Sequence, residues 1–429
     1  MSREVPNGWD QLSLGDICTG GMLTDGDWIE SKDQDPNGQI RLLQLSDIGD
    51  GEFLNKTRRF INEQTAERLR VTYLEKHDIL LARMPDPLGR CCLLPIEDRA
   101  ITAVDVCVIR PSAATDRSWL SYLLNSPEIR TLINAQGTGT TRTRVSRKSL
   151  AALSLVVPPL HEQRRIAEIL SSVDEAIAAT RAVIEQSKKV KQGVLERLLA
   201  KGIGHTRFKQ TEIGELPERW EVTTLGEVVS CPDGLQTGPF GSQLKAEEYV
   251  EDGIAVVMPR DLIAGVISTK QISRVAPDKI SQLRMHVLRA GDIVFARRGD
   301  IGRFALTSPR DEGFLCGTGC LRARLNIERV LPAFASAFLE SDFAKDWLNN
   351  NAVGQTMLNL NTSIISRLPF VLPPLEEQTQ IVEAVDSFSA SLPRADRSLS
   401  QHYAVKSALM SDLLTGRKRV TDALPLAAE

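Results

Sequence analysis

The residues best equipped for chemistry in this 429-residue chain are arginines set in clusters. Arg142, Arg144, Arg147 and Lys148 fall within seven residues, just after the Gly/Thr-rich turn at 137–141. Arg83 and Arg90 flank Met84-Pro85-Asp86-Pro87-Leu88-Gly89, and Arg297, Arg298 and Arg303 flank Gly299-Asp300-Ile301-Gly302. A guanidinium is a planar, permanently charged fork that matches guanine edges and phosphate oxygens. Loops held on a rigid scaffold are where such readers sit. A further loop, Gly238-Pro239-Phe240-Gly241-Ser242-Gln243-Leu244-Lys245, offers glycines for close backbone approach and Phe240 to pack or wedge. Thr140, Gln236, Ser242, Lys245, Gln355 and Asn359 complete the candidate nucleic-acid contacts. The competing reading of each cluster is an ordinary solvated surface.

Motifs for catalysis are missing. The chain has no GxxxxGK[ST] phosphate loop, no HExxH pair and no GxSxG elbow. An amino-methyltransferase needs Asn or Asp just before Pro-Pro, and here Val157 and Leu372 stand there. Gly137-Thr138-Gly139-Thr140 and Gly317-Thr318-Gly319 read as turns, and Cys91-Cys92 as small strand residues. Seven scattered Cys without a CxxC, beside five His, give no zinc spacing and fit reduced thiols. The net charge of −3 excludes a polycationic binder, so any nucleic-acid surface must be local. No signal-peptide core and no membrane-length apolar run is seen, so a cytoplasmic protein with no membrane partner is expected.

The elements that must carry these loops come in two copies. Val156-Val157-Pro158-Pro159-Leu160-His161-Glu162-Gln163 returns as Val371-Leu372-Pro373-Pro374-Leu375-Glu376-Glu377-Gln378. Pro6-Asn7-Gly8-Trp9 returns as Pro217-Glu218-Arg219-Trp220, and Asp78–Arg83 as Asp292–Arg297. Asp47 answers Asp261, and Leu198-Leu199 answers Leu413-Leu414. The offset drifts only from 211 to 215, so one scaffold carries two different surfaces. Short apolar runs bounded by Gly, Asp and Pro predict strands near 40–45, 78–82, 104–109, 254–258, 292–296 and 321–325. One helix is predicted over 118–135, with Trp119, Leu120, Leu123, Leu124, Ile129 and Leu132 on its apolar side, and its match over 331–350.

Each Pro-Pro element starts a long helix. Apolar residues of 160–200 fall on two seven-residue series, 166-173-180-187-194 and 170-177-184-191-198, interrupted at Thr180, Ser187 and Lys191. The second copy keeps this register from Ile381 to Leu413, interrupted at His402 and Lys406. Such seams predict coiled-coil pairing, and about 40 residues make a rod of roughly 60 Å. Pro393 predicts a kink or break within 390–394. Two glycines in 201–210 predict a helix stop and a linker.

Together these residues resemble the specificity subunits of type I DNA restriction–modification systems. The duplicated Pro-Pro-Leu-x-Glu-Gln-x-x-Ile element carries the resemblance, with the Leu-Leu-Thr-Gly-Arg-Lys-Arg-Val end at 413–420 and the Gly-Pro-Phe-Gly-Ser loop at 238–242. The resemblance implies a mixed α/β fold with two similar target-recognition domains and two long antiparallel helices. The expected divisions are 1–155 and 217–370 for those domains, 156–201 and 371–416 for the spacer helices, 202–216 for the linker and 417–429 for a tail. Each domain is expected to read one half of a bipartite, asymmetric site on double-stranded DNA, and the helices to set the gap. Half-sites read from one face of the duplex lie about 34–36 Å apart. Pro158, Pro159, Glu162, Gln163, Pro373, Pro374, Glu377 and Gln378 are the expected scaffold and docking residues. Two modification and two restriction subunits are the implied partners. They bring S-adenosylmethionine, ATP and Mg2+, while this chain binds no cofactor or metal and catalyses nothing. The alternative is a two-domain scaffold that does not read DNA.

Overall fold

In the computed structural model, residues 5–85, 87–139, 143–241, 243–354 and 358–420 are described. The chain forms two compact units, one of residues 1–181 with 397–429 and one of residues 182–396. The fold is mixed α/β, and each unit is built on the same plan.

The first unit centres on four antiparallel strands, β1 (Met22–Asp25), β2 (Ile79–Ala82), β3 (Cys91–Leu93) and β4 (Val106–Arg110), in the order β1-β4-β2-β3. The second repeats it with β5 (Leu235–Thr237), β6 (Ile293–Ala296), β7 (Phe304–Leu306) and β8 (Cys320–Ala323), in the order β5-β8-β6-β7. All residues of β2 and β6 are buried, which explains why both are unbroken apolar runs rather than alternating ones. Each unit also has a second sheet with one parallel pair, Ile40–Leu43 with Ala100–Thr102 in the first unit and Ile254–Val257 with Leu315–Cys316 in the second. The repeated aspartates clasp the turns between these strands. Asp47 and Asp261 accept from the backbone N–H three residues upstream, each at 2.8 Å. Asp78 takes the Arg110 guanidinium in two bonds of 2.7 Å, and Asp292 takes Arg324 in two of 2.8 Å. Cys91 and Cys92 are buried strand residues, and burial pushes the Cys92 thiol up to about 12.

A single helix expected over 118–135 is instead two, α1 (Arg117–Leu124) and α2 (Pro127–Ala135). Pro127 supplies no N–H to continue α1 and opens α2 behind the Ser126 cap, whose hydroxyl accepts from Ile129 N. The break changes the phase of the apolar stripe, so Leu132 is 46% exposed and Ile133 is buried in its place. The matching element also splits, into α4 (Pro332–Leu339) and α5 (Asp342–Asn351), with Ser341 as the cap between them.

The helix after the first Pro-Pro, α3 (Leu160–Lys201), runs 42 residues without a break. Its first part belongs to the first unit and its second part to the second. Ile166, Leu170, Ile177 and Ile184 are buried as the seven-residue series require, but Leu195 and Leu199 replace Val194 and Leu198. A helix of 3.6 residues per turn drifts about 20° per heptad against a 3.5 repeat, and after four heptads the seam has moved by one residue. The second long helix is broken as expected. It consists of α6 (Leu375–Ser389) and α7 (Leu392–Leu413), with a turn at Ala390 and Ser391 just ahead of Pro393.

Several polar interruptions of the seams find polar partners. In the first unit Thr180 meets His402 Nδ1 at 3.4 Å, and Lys406 pairs with Asp174 at 2.6 Å. Their order along the chain shows α3 and α7 antiparallel there. In the second unit Lys191 pairs with Glu340 at 2.6 Å. The region expected as linker holds a hairpin, Phe208–Thr211 against Gly214–Pro217. Among the described residues no helix is long and apolar enough to cross a membrane.

The aromatic centre of the second unit offers a direct check. Phe370, fully buried, packs edge-on against Phe334 at 6.1 Å and tilted against Phe338 at 4.6 Å. Phe370→Ala is expected to cost about 3–5 kcal/mol in urea unfolding. A loss below about 1 kcal/mol would contradict this packing.

Candidate nucleic-acid interface

Two kinds of site emerge in each unit, a mounting and a loop end. The mounting is built around the Pro-Pro-Leu-x-Glu-Gln element. Strand Ser154–Val157 pairs with Asp10–Ser13 and delivers Pro158; strand Pro369–Leu372 pairs with Glu221–Thr224 and delivers Pro373. The same pairings bring the two tryptophans to the helix starts. Trp9 Nε1 donates to Glu162 at 3.0 Å, and Trp220 Nε1 to Glu377 at 2.9 Å. Gln163 Nε2 donates to Pro158 O and its Oε1 accepts from Asp116 N, both at 2.8 Å. Gln378 does the same with Pro373 O and Leu331 N, also at 2.8 Å. Each glutamine therefore ties a long-helix start to the start of the helix on the domain body.

Each carboxylate also holds the exit of a long helix. Arg419 donates to both oxygens of Glu162 at 2.8 Å, and His205 meets Glu377 at 2.8 Å with Ile203 N at 3.0 Å. The exits turn at Gly202 (φ +61) and Gly416 (φ +70), where any Cβ would press on Glu377 or Pro6. Burial alone would raise the Glu162 carboxyl, but the donors from Arg419 and Trp9 outweigh it and hold it below the usual range. Trp9, Trp220, Arg419 and His205 were not singled out as site residues in the sequence. The repeated Pro-x-x-Trp and the Arg-Lys-Arg-Val end were the available signals.

The loop end lies where β1 and β2 finish and β3 and β4 begin, and correspondingly in the second unit. Here the structure brings together most of the arginines expected to touch nucleic acid, but gives several of them internal work. Arg83 is 5% exposed, pairs with Asp25, and donates through Nε to Val145 O at 3.0 Å. Arg297 donates in the same way to Leu360 O at 3.1 Å. Arg90 is 8% exposed and spends its guanidinium on Ile48 O, Pro87 O and Leu45 O. These buried or half-buried guanidinium groups brace loops; residue type alone did not distinguish a brace from an outward contact.

What Arg83 and Arg297 brace is a repeated closed loop. Thr138 and Arg144 exchange two backbone bonds of 3.0 and 2.8 Å, and Val353 and Asn359 exchange two of 3.1 and 2.8 Å. Arg144 leans on Asp105 at 3.1 Å. Asn359 Oδ1 is buried and accepts no bond from the described residues. Arg147 and Lys148 stand exposed at the start of the short helix Arg147–Ala151, and Arg298 is exposed beside Asn359. None of these three pairs with a carboxylate among the described residues. Arg303 is exposed but bound to Asp300 at 2.7 Å. Gln236 lies on β5, Phe240 is exposed just beyond it, and Lys245 is exposed near Glu247. Thr140, Arg142, Ser242 and Gln355 fall outside the described residues. No group of His, Cys, Asp and Glu among the described residues could hold a metal.

Each unit thus carries a strand-rich body on the same helical mounting. A family described as the type I restriction modification DNA specificity domain matches residues 6–188 and again 217–396. The chain belongs to this family. It is 27% identical over 427 residues to the specificity subunit of the type I restriction enzyme MjaVIII from Methanocaldococcus jannaschii, covering 97% of this chain and 94% of that one. The EcoBI specificity subunit of Escherichia coli is 23% identical, covering 66% of this chain and 61% of that one. Among solved structures, the type I restriction-modification S subunit from M. genitalium covers 96% of this chain and 99% of its own at a TM-score of 0.54 and 16% identity. A chain solved in work on complex assembly and conformational transition of the type I R-M system gives a TM-score of 0.58 at 18% identity over the same shares. At these identities the structural likeness concerns the fold.

The Glu162 mounting can be tested by truncation. Glu162→Ala leaves the Trp9 indole and the partly exposed Arg419 without their acceptor and is expected to destabilise the first unit by about 1–3 kcal/mol. Because the Glu162 carboxyl is lowered in the folded state, its contribution is complete above the unfolded value of about 4.3 and is lost as pH falls through the lowered one. Urea melts of native and Glu162→Ala chains should therefore converge in acid; a constant difference down to pH 2 would refute this role.

Proposed function

We propose that this chain is the non-catalytic DNA-specificity subunit of a type I restriction–modification complex, and that each unit reads one half of a bipartite, asymmetric site through its loop end. The observation that carries this reading is a repeated frame with unrepeated residues where its loops close. Arg83 and Arg297 make the same brace, yet the loops they close carry Arg144 in one unit and Asn359 in the other. Two different loops on one mounting suit two different half-sites. Arg147, Lys148 and Arg298 supply phosphate contacts that fix register. Base contacts come from the loops 138–144, 238–245 and 353–359, where Arg142 and Arg144, or Gln355 and Asn359, offer donors and acceptors to base edges.

The remaining parts serve assembly. The long helix α3, shared along the chain by both units, fixes the length of the unread gap. The Pro-Pro-Leu-x-Glu-Gln mountings and the helices dock two adenine-N6 methyltransferase subunits and two helicase-nuclease subunits. S-adenosylmethionine, ATP and Mg2+ belong to those partners. The complex acts in the cytoplasm.

Methylome sequencing of cells carrying the chain and its partners tests the reading. The native chain is expected to yield one split, asymmetric motif. Arg144→Ala should relax only the half-site read by the first unit and Asn359→Ala only the other. Inserting about four residues, one helical turn, within 178–190 should lengthen the gap and leave both half-sites intact. Methylation without a motif, or relaxation of both halves by one substitution, would overturn the proposal.

A further inference from the structure

At the loop end, each unit exposes one aromatic side chain at the same place in its frame. The edge strand β1 is followed by Gly26, whose N–H donates to Val106 O at 2.8 Å; the edge strand β5 is followed by Gly238, whose N–H donates to Cys320 O at 2.9 Å. Both glycines cross a neighbouring strand so closely that a Cβ would meet a carbonyl, Ala103 O at 2.3 Å or Gly317 O at 2.0 Å. Two residues beyond each glycine stand Trp28 and Phe240, at 71% and 62% exposure the most exposed aromatic residues among those described. The sequences between glycine and aromatic differ, so this equivalence is visible only through the hydrogen bonds of the frame.

Neither aromatic sits on a loose tip. Asp27 N donates to Thr102 O at 2.8 Å, and the Asp27 carboxylate accepts from Thr72 N at 3.0 Å. Pro239 is buried, its carbonyl accepts from the Thr318 hydroxyl at 3.0 Å, and Phe240 N donates to the Gln243 side chain at 3.0 Å. A backbone held this firmly spends little entropy in offering its ring to a partner.

The surroundings indicate which partner. In the first unit the strand that Gly26 crosses leads into Val104 and Asp105, which hold Arg144 of the closed loop. In the second unit the turn that holds Pro239 also takes the Arg297 N–H at Gly319 O, and Arg298 bridges to Asn359. Each aromatic thus shares its end of the sheet with the braced loop and the outward cations already assigned to DNA.

We propose that Trp28 and Phe240 are a matched pair of DNA-contacting aromatics, one for each half-site, that press an apolar ring against the bases and wedge a base step open. This rests on the DNA-reading assignment and adds residues to it, Trp28 among them for the first time. An apolar wedge recognises the ease with which a step unstacks, so it adds selectivity without a hydrogen bond to a base.

The test uses the full chain assembled with its methyltransferase partner and a duplex of about 40 base pairs carrying the motif methylated in cells. Trp28→Ala and Phe240→Ala are each expected to weaken binding about 10- to 100-fold. The slope of log affinity against log salt should stay unchanged, because no phosphate contact is lost. Trp28→Phe should retain most of the affinity. Both substitutions lie on the surface, so thermal unfolding should not move and a folding defect is separable. Affinities within twofold of native for both alanine variants, with motif selectivity intact, would overturn the pair while sparing the DNA-reading assignment. Impaired assembly with the methyltransferase at unchanged DNA affinity would reassign the rings to a protein contact and equally overturn it. A native complex without motif preference would bring down the assignment itself.

Discussion

In each unit one buried carboxylate gathers three distant pieces of chain. Glu162 takes an indole N–H from the entry strand, stands in the first turn of the long helix, and receives the Arg419 guanidinium from the exit of another helix. Glu377 does the same with Trp220 and His205. An ionised carboxylate removed from water must be fully paired, and leaving it unpaired costs several kcal/mol. This demand fixes the angle at which each helix leaves its strand-rich body. It also dictates chain order. The exit of the first helix closes the second unit, and the end of the chain returns to close the first.

Once the mounting is fixed, the rest of each unit follows from sheet chemistry. Buried aspartates clasp the turns and pair with arginines, and the central strands can then be apolar on both faces. The loop end is the part released from these demands. Its backbone is set by Arg83 or Arg297, and its outward side chains diverge between the units. A stiff frame with variable tips allows the two halves to change what they read while leaving the core untouched.

The duplication, the strand-rich bodies and the helix starts were legible in the sequence, because Pro-Pro, Trp9, Trp220 and the strand-opening aspartates serve packing needs that both halves share. The break before Pro393 was legible for the same local reason. Other features were not. The split at Pro127 was written in the sequence but masked by a continuous apolar stripe. The seam drifted to Leu195 and Leu199 because a straight helix does not keep a seven-residue repeat. Arg83 and Arg90 read as outward contacts because burial is a tertiary property that a charged residue does not announce. Trp28 was missed because its match to Phe240 lies in backbone hydrogen bonds, with no shared residue beyond a glycine two positions earlier.

The central claim is that one frame carries two independent readers joined at equivalent strands. The direct measurement replaces residues 221–372 with a second copy of residues 10–157, cut at the ends of the matched strand pairs. Methylome sequencing should then show the first half-site twice in one split motif with the native gap. A folded, methylating complex that still recognised the original second half-site would contradict the account.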